Sequence, residues 1–425
     1  MTFEEAQKIL IERQSFVKKN GLERVYRCLE KLGNPQDKIK CVHITGTNGK
    51  GSTAAMFDGI LRAAGYKTGL YTSPHLIDIR ERIRLDGNKI EKEEFARIFQ
   101  EVFENGEDLS FFEIITCMAF VFFCRKGVDI AALEVGIGGR LDTTNVIRSP
   151  VLCVITSVDI DHTKFLGNDL YSIGWQKAGI MKKRSVCISP RLKEEVENAL
   201  RKSALETESG LVFVDPFFRI EEYGWDSGRM KILNRNNGKN YEVGVIGDKQ
   251  ALNASIAVEG IRILAEKGFA VSEEAIRNGF KNLNWPGRFQ IIVNGGRVFI
   301  LDGAHNMEAM ESFIHTFQKS PFYGRDAAFV FGMLMEKDYK NVLKFIAPHV
   351  SRIVFTASDY SRALDPHLLS DEFSKVNNDC DIEVHSSIEA ALESASKSKY
   401  AAVIGSFYLV GAALEILQKS GVEKV

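Results

Sequence analysis

Val42-His43-Ile44-Thr45-Gly46-Thr47-Asn48-Gly49-Lys50-Gly51-Ser52-Thr53 is the stretch on which the reading of this chain turns. A short apolar run at 41–45 enters it, and an alanine-containing helical pattern at 52–64 leaves it. That order is strand, glycine-rich turn, helix. Glycines let backbone N–H groups converge on phosphate oxygens, Lys50 adds positive charge, and a helix N-terminus adds its dipole. Ser52 or Thr53 offers a hydroxyl to a Mg²⁺ shell. The spacing departs from G-x-x-x-x-G-K-[ST], because Gly51 stands between Lys50 and Ser52. The plain alternative is a glycine-rich turn without a ligand.

Outward from this loop, short apolar runs alternate with longer helical patterns, which predicts a parallel sheet flanked by helices. Strands are expected at 68–72, 130–135, 151–157, 185–188 and 211–214, with helices at 92–104 and 113–125 between them. Residues 229–233 and 241–245 flank Asn236-Asn237-Gly238, an antiparallel hairpin signal expected to add to the main sheet. Helices at 251–267 and 273–282 lead to Trp285-Pro286-Gly287-Arg288, where Pro-Gly ends any helix. A second alternation follows, with strands at 298–301, 328–331, 353–356, 382–384 and 401–404. The fold class expected is α/β: a phosphate-loop-containing, parallel-sheet N-terminal domain with a small antiparallel addition, residues 1–287, and a smaller Rossmann-like C-terminal domain, residues 288–425. A two-substrate reaction is expected between two such domains.

The 425 residues carry 55 Lys+Arg against 56 Asp+Glu, a net charge of −1 that argues against a nucleic-acid or anionic-membrane binder. The longest nearly unbroken apolar run, from Ile114 to Cys124, has 11 residues, short of the roughly 20 that span a bilayer. The N-terminus lacks a basic-then-apolar signal, and the 7 cysteines form no C-x-x-C pair, so a cytoplasmic protein with reduced thiols is expected. A monomer is expected.

The altered loop spacing, T-G-T-N-G-K-G-S, resembles the phosphate loop of the Mur ligase superfamily, whose members join a carboxylic acid to an amino acid with ATP. Further stretches resemble its folylpolyglutamate synthase and dihydrofolate synthase branch. They are Tyr71-Thr72-Ser73-Pro74-His75-Leu76, Leu133-Glu134-Val135-Gly136, Gly139-Arg140-Leu141-Asp142-Thr143-Thr144-Asn145 and Asp161-His162-Thr163-Lys164-Phe165-Leu166-Gly167. Lys177-Ala178-Gly179-Ile180, Trp285-Pro286-Gly287-Arg288 and Asp302-Gly303-Ala304-His305-Asn306 complete the set.

The resemblance implies an ATP-dependent ligase that adds L-glutamate to the γ-carboxylate of folate through an acyl phosphate. Whether it also makes dihydrofolate from dihydropteroate stays open. It implies ATP contacts from Thr47, Asn48, Gly49, Lys50, Gly51, Ser52, Asn253, Arg288 and Asp302. It implies two Mg²⁺ ions held by Ser73, Glu134, His162 and Lys177, the last as a carbamate, although Gln176 departs from the family's usual Glu. Ser110, Phe111, Phe112, Glu113, Leu141, Asp142 and Thr143 match the folate-contacting segments, and Lys50, Lys177 and His305 the catalytic positions. The residues alone leave other readings open: Glu134 as a capping or ion-paired carboxylate, His162 as structural and Ser73-Pro74 as a turn. Likewise Asn253 reads as a helix-surface amide, Asp302 and His305 as caps, the phenylalanines as core and Lys177 as an ion-paired lysine at the start of a helical turn. Rival functions are a ligase acting on a cell-wall nucleotide precursor and a non-ligase phosphate-loop ATPase. The first usually carries an extra N-terminal domain, and only 40 residues precede the loop's strand.

Overall fold

The five residues Cys41–Thr45 form β1, and all five are buried. A strand buried along its whole length belongs inside a sheet covered on both faces, and β1 lies there. The computed structural model describes residues 1–13, 21–324 and 326–421. The first sheet continues with β2 (Thr68–Tyr71), β3 (Ile83–Leu85), β4 (Asn88–Lys89), β5 (Ile130–Glu134), β6 (Leu152–Ile155), β7 (Val186–Pro190) and β8 (Gly210–Val214). Its order is β4-β3-β2-β5-β1-β6-β7-β8. β1 pairs in parallel with β5 and β6, whereas β3 and β4 add antiparallel at one edge. This antiparallel edge was not expected from the sequence; the addition expected was the hairpin at 229–245.

The hairpin at Asn236-Asn237-Gly238 forms, but it does not join the main sheet. β9 (Phe218–Gly224), β10 (Arg229–Asn234) and β11 (Asn240–Val243) make a separate three-stranded sheet. In β10 and β11 buried residues alternate with half-buried or exposed ones, so one face stays open to water and no second covering layer is needed.

The third sheet holds β12 (Gln290–Asn294), β13 (Arg297–Asp302), β14 (Ala327–Phe331), β15 (Arg352–Phe355), β16 (Asp381–Val384) and β17 (Tyr400–Ile404). The order is β12-β13-β17-β14-β15-β16, parallel except for the β12–β13 pair. Alternate residues face opposite sides. Ile300, Phe329, Phe331 and Ile353 enter one core, and Leu301, Ala328, Val330 and Val354 enter another.

The chain divides into two units: Met1–Ser73, Ile79–Phe218 and Leu252–Leu283 in the first, and Pro74–Asp78, Arg219–Ala251 and Asn284–Val425 in the second. All 7 cysteines are free of disulfides. Among the described residues no helix is long and apolar enough to cross a membrane.

Candidate functional site

In the first unit, β1 ends at Thr45 and a helix, Lys50–Ala63, begins five residues later. Gly49 makes the turn in the left-handed region at φ 82° and is the helix N-cap. A Cβ there would lie 2.7 Å from Asn253 Oδ1, so only glycine lets the Asn253 side chain rest against the loop. Asn253 itself is buried in the first turn of the helix Gln250–Glu266, not displayed on a helix surface. The loop is tied to the segment after β6. Thr47 N–H donates to Ser157 O (2.9 Å), Asn48 N–H to Ser157 Oγ (2.9 Å), and Thr156 Oγ1 to Asn48 O (2.6 Å). Lys50 Nζ curls over its own loop onto Gly46 O (2.9 Å) and Thr47 O (3.0 Å). Gly51 is buried inside the helix. Ser52 Oγ and Thr53 Oγ1 are buried with no hydrogen-bond partner among the described residues. An unpaired buried hydroxyl is costly unless a ligand completes it.

Two of the expected metal residues meet: Ser73 N–H donates to Glu134 Oε2 at 2.9 Å, joining the ends of β2 and β5. Glu134 is buried. His162 takes a left-handed conformation, φ 50°, at the start of the short helix Thr163–Leu166, and its N–H donates to Asp161 Oδ1 at 2.8 Å. Lys177 is buried in the last turn of the helix Leu170–Ala178, not at a helix start. Among the described residues, no group of three or more His, Cys, Asp or Glu side chains is placed to hold a metal ion. The oxygens on offer, Ser52 Oγ and the Glu134 carboxylate, suit Mg²⁺, which keeps several waters and takes one or two carboxylates with substrate phosphates.

The expected folate residues fall into two kinds. Ser110 and Glu113 form a capping box at the start of the helix Phe111–Lys126. Glu113 Oε2 accepts from Ser110 N (2.8 Å) and Oγ (2.6 Å), and Oε1 accepts from Arg24 Nη2 (2.7 Å). Phe111 belongs to the core. Asp142 and Thr143 are also buried, with Asp142 capping the 3₁₀ turn Thr143–Val146. Phe112 and Leu141, by contrast, are exposed at 40% and 48%.

The second unit gathers the remaining candidates at the C-terminal ends of β13 and β17. Asp302 Oδ2 accepts Phe289 N–H and Oδ1 accepts Ala304 N–H, both at 2.8 Å. Burial pushes its carboxyl above the usual range, and the Arg288 guanidinium draws it part of the way back. Arg288 Cζ stands 4.3 Å from the centre of the Phe407 ring. His305 faces the same ring at 5.4 Å, with its Nδ1 2.8 Å from Gly303 O. Phe407 lies so close to Gly303 that no side chain fits there.

Sequence reasoning missed Thr156, Ser157 and Phe407. The first pair follows a strand at the sheet edge carrying the phosphate loop, which is a positional signal; Phe407 carries none.

Residues 44–259 match the Mur ligase middle domain and residues 287–407 the Mur ligase glutamate ligase domain. A Bacillus subtilis dihydrofolate synthase/folylpolyglutamate synthase is 33% identical, with 85% of this chain and 86% of that protein covered. The chain belongs to the folylpolyglutamate synthase and dihydrofolate synthase family of Mur ligases. A Haloferax volcanii relative described as a "Probable bifunctional folylpolyglutamate synthase/dihydropteroate synthase" is 34% identical over 97% of this chain. This chain spans 50% of that family member's length. Escherichia coli FolC in complex with DHPP and ADP superposes with a TM-score of 0.86 at 29% identity, covering 99% of this chain and 98% of that one.

Proposed function

We propose that this chain is an ATP-dependent acid–amino-acid ligase that adds L-glutamate to the γ-carboxylate of tetrahydrofolate. Residues 1–287 serve ATP, and residues 288–425 serve glutamate. In this reading the folate carboxylate attacks the γ-phosphorus of ATP, ADP leaves, and an acyl phosphate forms. The glutamate amine then attacks the acyl carbon, phosphate leaves, and the amide remains. Such transfer needs positioning and charge neutralisation more than a protein nucleophile. Thr47, Asn48, Gly49 and Gly51 present backbone to the phosphates, Lys50 swings from its loop carbonyls to the transferring group, and Asn253, Arg288 and Asp302 hold the rest of the nucleotide. Mg²⁺, two ions in this reading, supplies charge neutralisation on the phosphates when held by Ser52, Ser73, Glu134, His162 and carbamylated Lys177. His305 accepts the amine proton. Phe112 and Leu141 touch the pterin, with Ser110, Phe111, Glu113, Asp142 and Thr143 framing them. The protein acts in the cytoplasm as a monomer.

The observation that carries the reading is the Ser52 hydroxyl, buried without a partner in the first turn of the phosphate-loop helix. The test is ADP release from purified protein with ATP, Mg²⁺ and L-glutamate, with either tetrahydrofolate or dihydropteroate. Release that requires both glutamate and tetrahydrofolate supports the ligase, and release with neither present makes the chain an ATPase. The Bacillus subtilis relative's double name favours a second activity; the dihydropteroate arm decides it.

A further inference from the structure

His43, in the middle of β1, is wholly buried and has no part in the scheme above. Its Nε2 lies 2.8 Å from Thr144 Oγ1. That hydroxyl donates to Asp142 Oδ1 at 2.6 Å. The other carboxylate oxygen, Asp142 Oδ2, accepts the N–H groups of Gly136 and Ile137, each at 3.1 Å. A hydroxyl has one proton. With that proton on the bond to Asp142, Thr144 Oγ1 can only accept from the imidazole. The ring must therefore carry hydrogen on Nε2 and leave Nδ1 bare. Nδ1 is buried with no hydrogen-bond partner among the described residues. Protonating it would bury a cation, and burial first, with the Lys182 charge second, holds the ring's pKa down at about 3. His43 is thus a neutral donor with a fixed direction.

Asp142 is where this relay meets the exposed apolar residues. It bonds the amides of Gly136 and Ile137 just beyond the end of β5, and it caps the turn that follows Leu141. Phe112 Cε1 lies 3.7 Å from where a Cβ on Gly136 would stand. Ile137 and Leu141, both exposed, therefore hang on residues whose spacing the relay sets, and the exposed Phe112 ring lies beside Gly136, whose amide Asp142 holds. A separate chain, Tyr71 Oη to Thr116 Oγ1 (2.9 Å) and on to Thr143 Oγ1 (2.8 Å), holds the next residue of the turn, and Thr116 Oγ1 also reaches Phe112 O (2.7 Å) within its helix.

We propose that His43 is a positioning residue for the acid substrate. By donating from Nε2 to Thr144 it fixes Asp142, and so the apolar surface of Phe112, Ile137 and Leu141 on which a flat heterocycle of the folate class rests. The inference deepens the folate-ligase reading and rests on it.

The test uses the two ring positions separately. His43→Gln keeps an N–H near the Nε2 position, His43→Asn moves its amide to the Nδ1 position, and His43→Leu removes both. Thr144→Val cuts the relay at its middle. Tetrahydrofolate and ATP binding are measured by calorimetry, and KM for each by ADP release. His43→Leu, His43→Asn and Thr144→Val should weaken tetrahydrofolate about tenfold, the size of one buried hydrogen bond, with ATP changed less than about twofold. His43→Gln should stay within about threefold of wild type, and the Leu/Val double variant should be no worse than either single change. Equal losses for ATP and tetrahydrofolate, a Gln variant as poor as Leu, or unchanged tetrahydrofolate affinity would each overturn the proposal. Should His43→Leu not fold, Thr144→Val and His43→Asn carry the same decision. A wild type that binds tetrahydrofolate without turning over sinks the ligase and leaves the positioning role standing. One that binds none sinks both.

Discussion

Ser52→Ala should make the ligand-free protein more stable and the enzyme worse. The hydroxyl is buried with no partner among the described residues, and such a group costs about 1–3 kcal/mol of desolvation. Removing it recovers part of that cost. Alanine is also a better helix former than serine by about 0.5 kcal/mol, and position 52 lies in the first turn of the helix Lys50–Ala63. Against these stands the loss of one oxygen's dispersion contacts, a few tenths of a kcal/mol. The net expectation is a gain of about 1 kcal/mol, or roughly 2–4 °C in Tm for a unit of this size. Catalysis should move the other way. An oxygen lost from the phosphate and metal shell should lower turnover by about 10²–10³, as loss of one transition-state contact does elsewhere, and raise the Mg²⁺ requirement. Thermal unfolding without nucleotide or Mg²⁺ reads the first effect, and ADP release across a Mg²⁺ titration reads the second. A ligand-free Tm lowered by several degrees would mean that the hydroxyl is held by the protein. Wild-type turnover at low Mg²⁺ would mean that no ligand uses it.

Lys50→Ala should abolish turnover while circular dichroism stays near wild type, since Nζ reaches back to two carbonyls of its own loop, Gly46 O and Thr47 O; normal ATP dependence in the variant refutes the phosphate-loop assignment. Gly49→Ala forces an L residue to φ 82° and sets its Cβ 2.7 Å from Asn253 Oδ1, which should cost about 1–2 kcal/mol of stability and weaken ATP; an unchanged Tm and ATP affinity count against the close approach. Lys177→Ala should be nearly inactive and partly rescued by short carboxylates that refill the carbamate position, whereas full activity without rescue removes the carbamate. For His43, the folded pKa of about 3 lies below the unfolded value near 6.5, so the neutral ring's contribution is present above about 6.5 and is lost as pH falls toward about 3, by up to about 1.4 kcal/mol per unit. Urea unfolding across that window should show a shallower acid loss in His43→Gln, and an identical slope means that the ring is not held neutral.

The buried parallel strands were legible because a strand covered on both faces is apolar at most positions. β1 spans 41–45 as its run of residues suggests, and β14 and β17 begin one residue before their runs. Edges were less legible. β3 reads Ile-Arg-Leu, and only its first residue is buried; β12 was missed although Asn294-Gly295-Gly296 is a hairpin signal with both glycines at positive φ. At the site, the phosphate loop declares itself because glycines are needed at fixed spacing. The hydroxyls of Thr156 and Ser157 that hold it come from more than a hundred residues away, and only their place just after a strand marks them. Ser110 and Glu113 were read only as folate contacts, although S-x-x-E before an apolar run is also the pattern of a capping box, and the structure forms that box.

The candidate residues separate by what remains of their bonding capacity. Glu113 has one oxygen on Ser110 and the other on Arg24. Asp142 bonds three backbone N–H groups and one hydroxyl. A side chain bonded this fully inside the protein would have to break a buried bond to greet a substrate, which costs more than it returns. Such residues set distances between other groups, so their replacement should act through geometry and show itself mainly in substrate affinity. Ser52 has a buried oxygen without a partner, and Phe112 and Leu141 keep apolar surface in water; binding improves the surroundings of each. By that criterion we propose that, among these residues, Ser52, Phe112 and Leu141 are the ones to touch ligands directly, with Ser110, Glu113, Asp142, Thr144 and His43 as the frame that keeps those contacts in register.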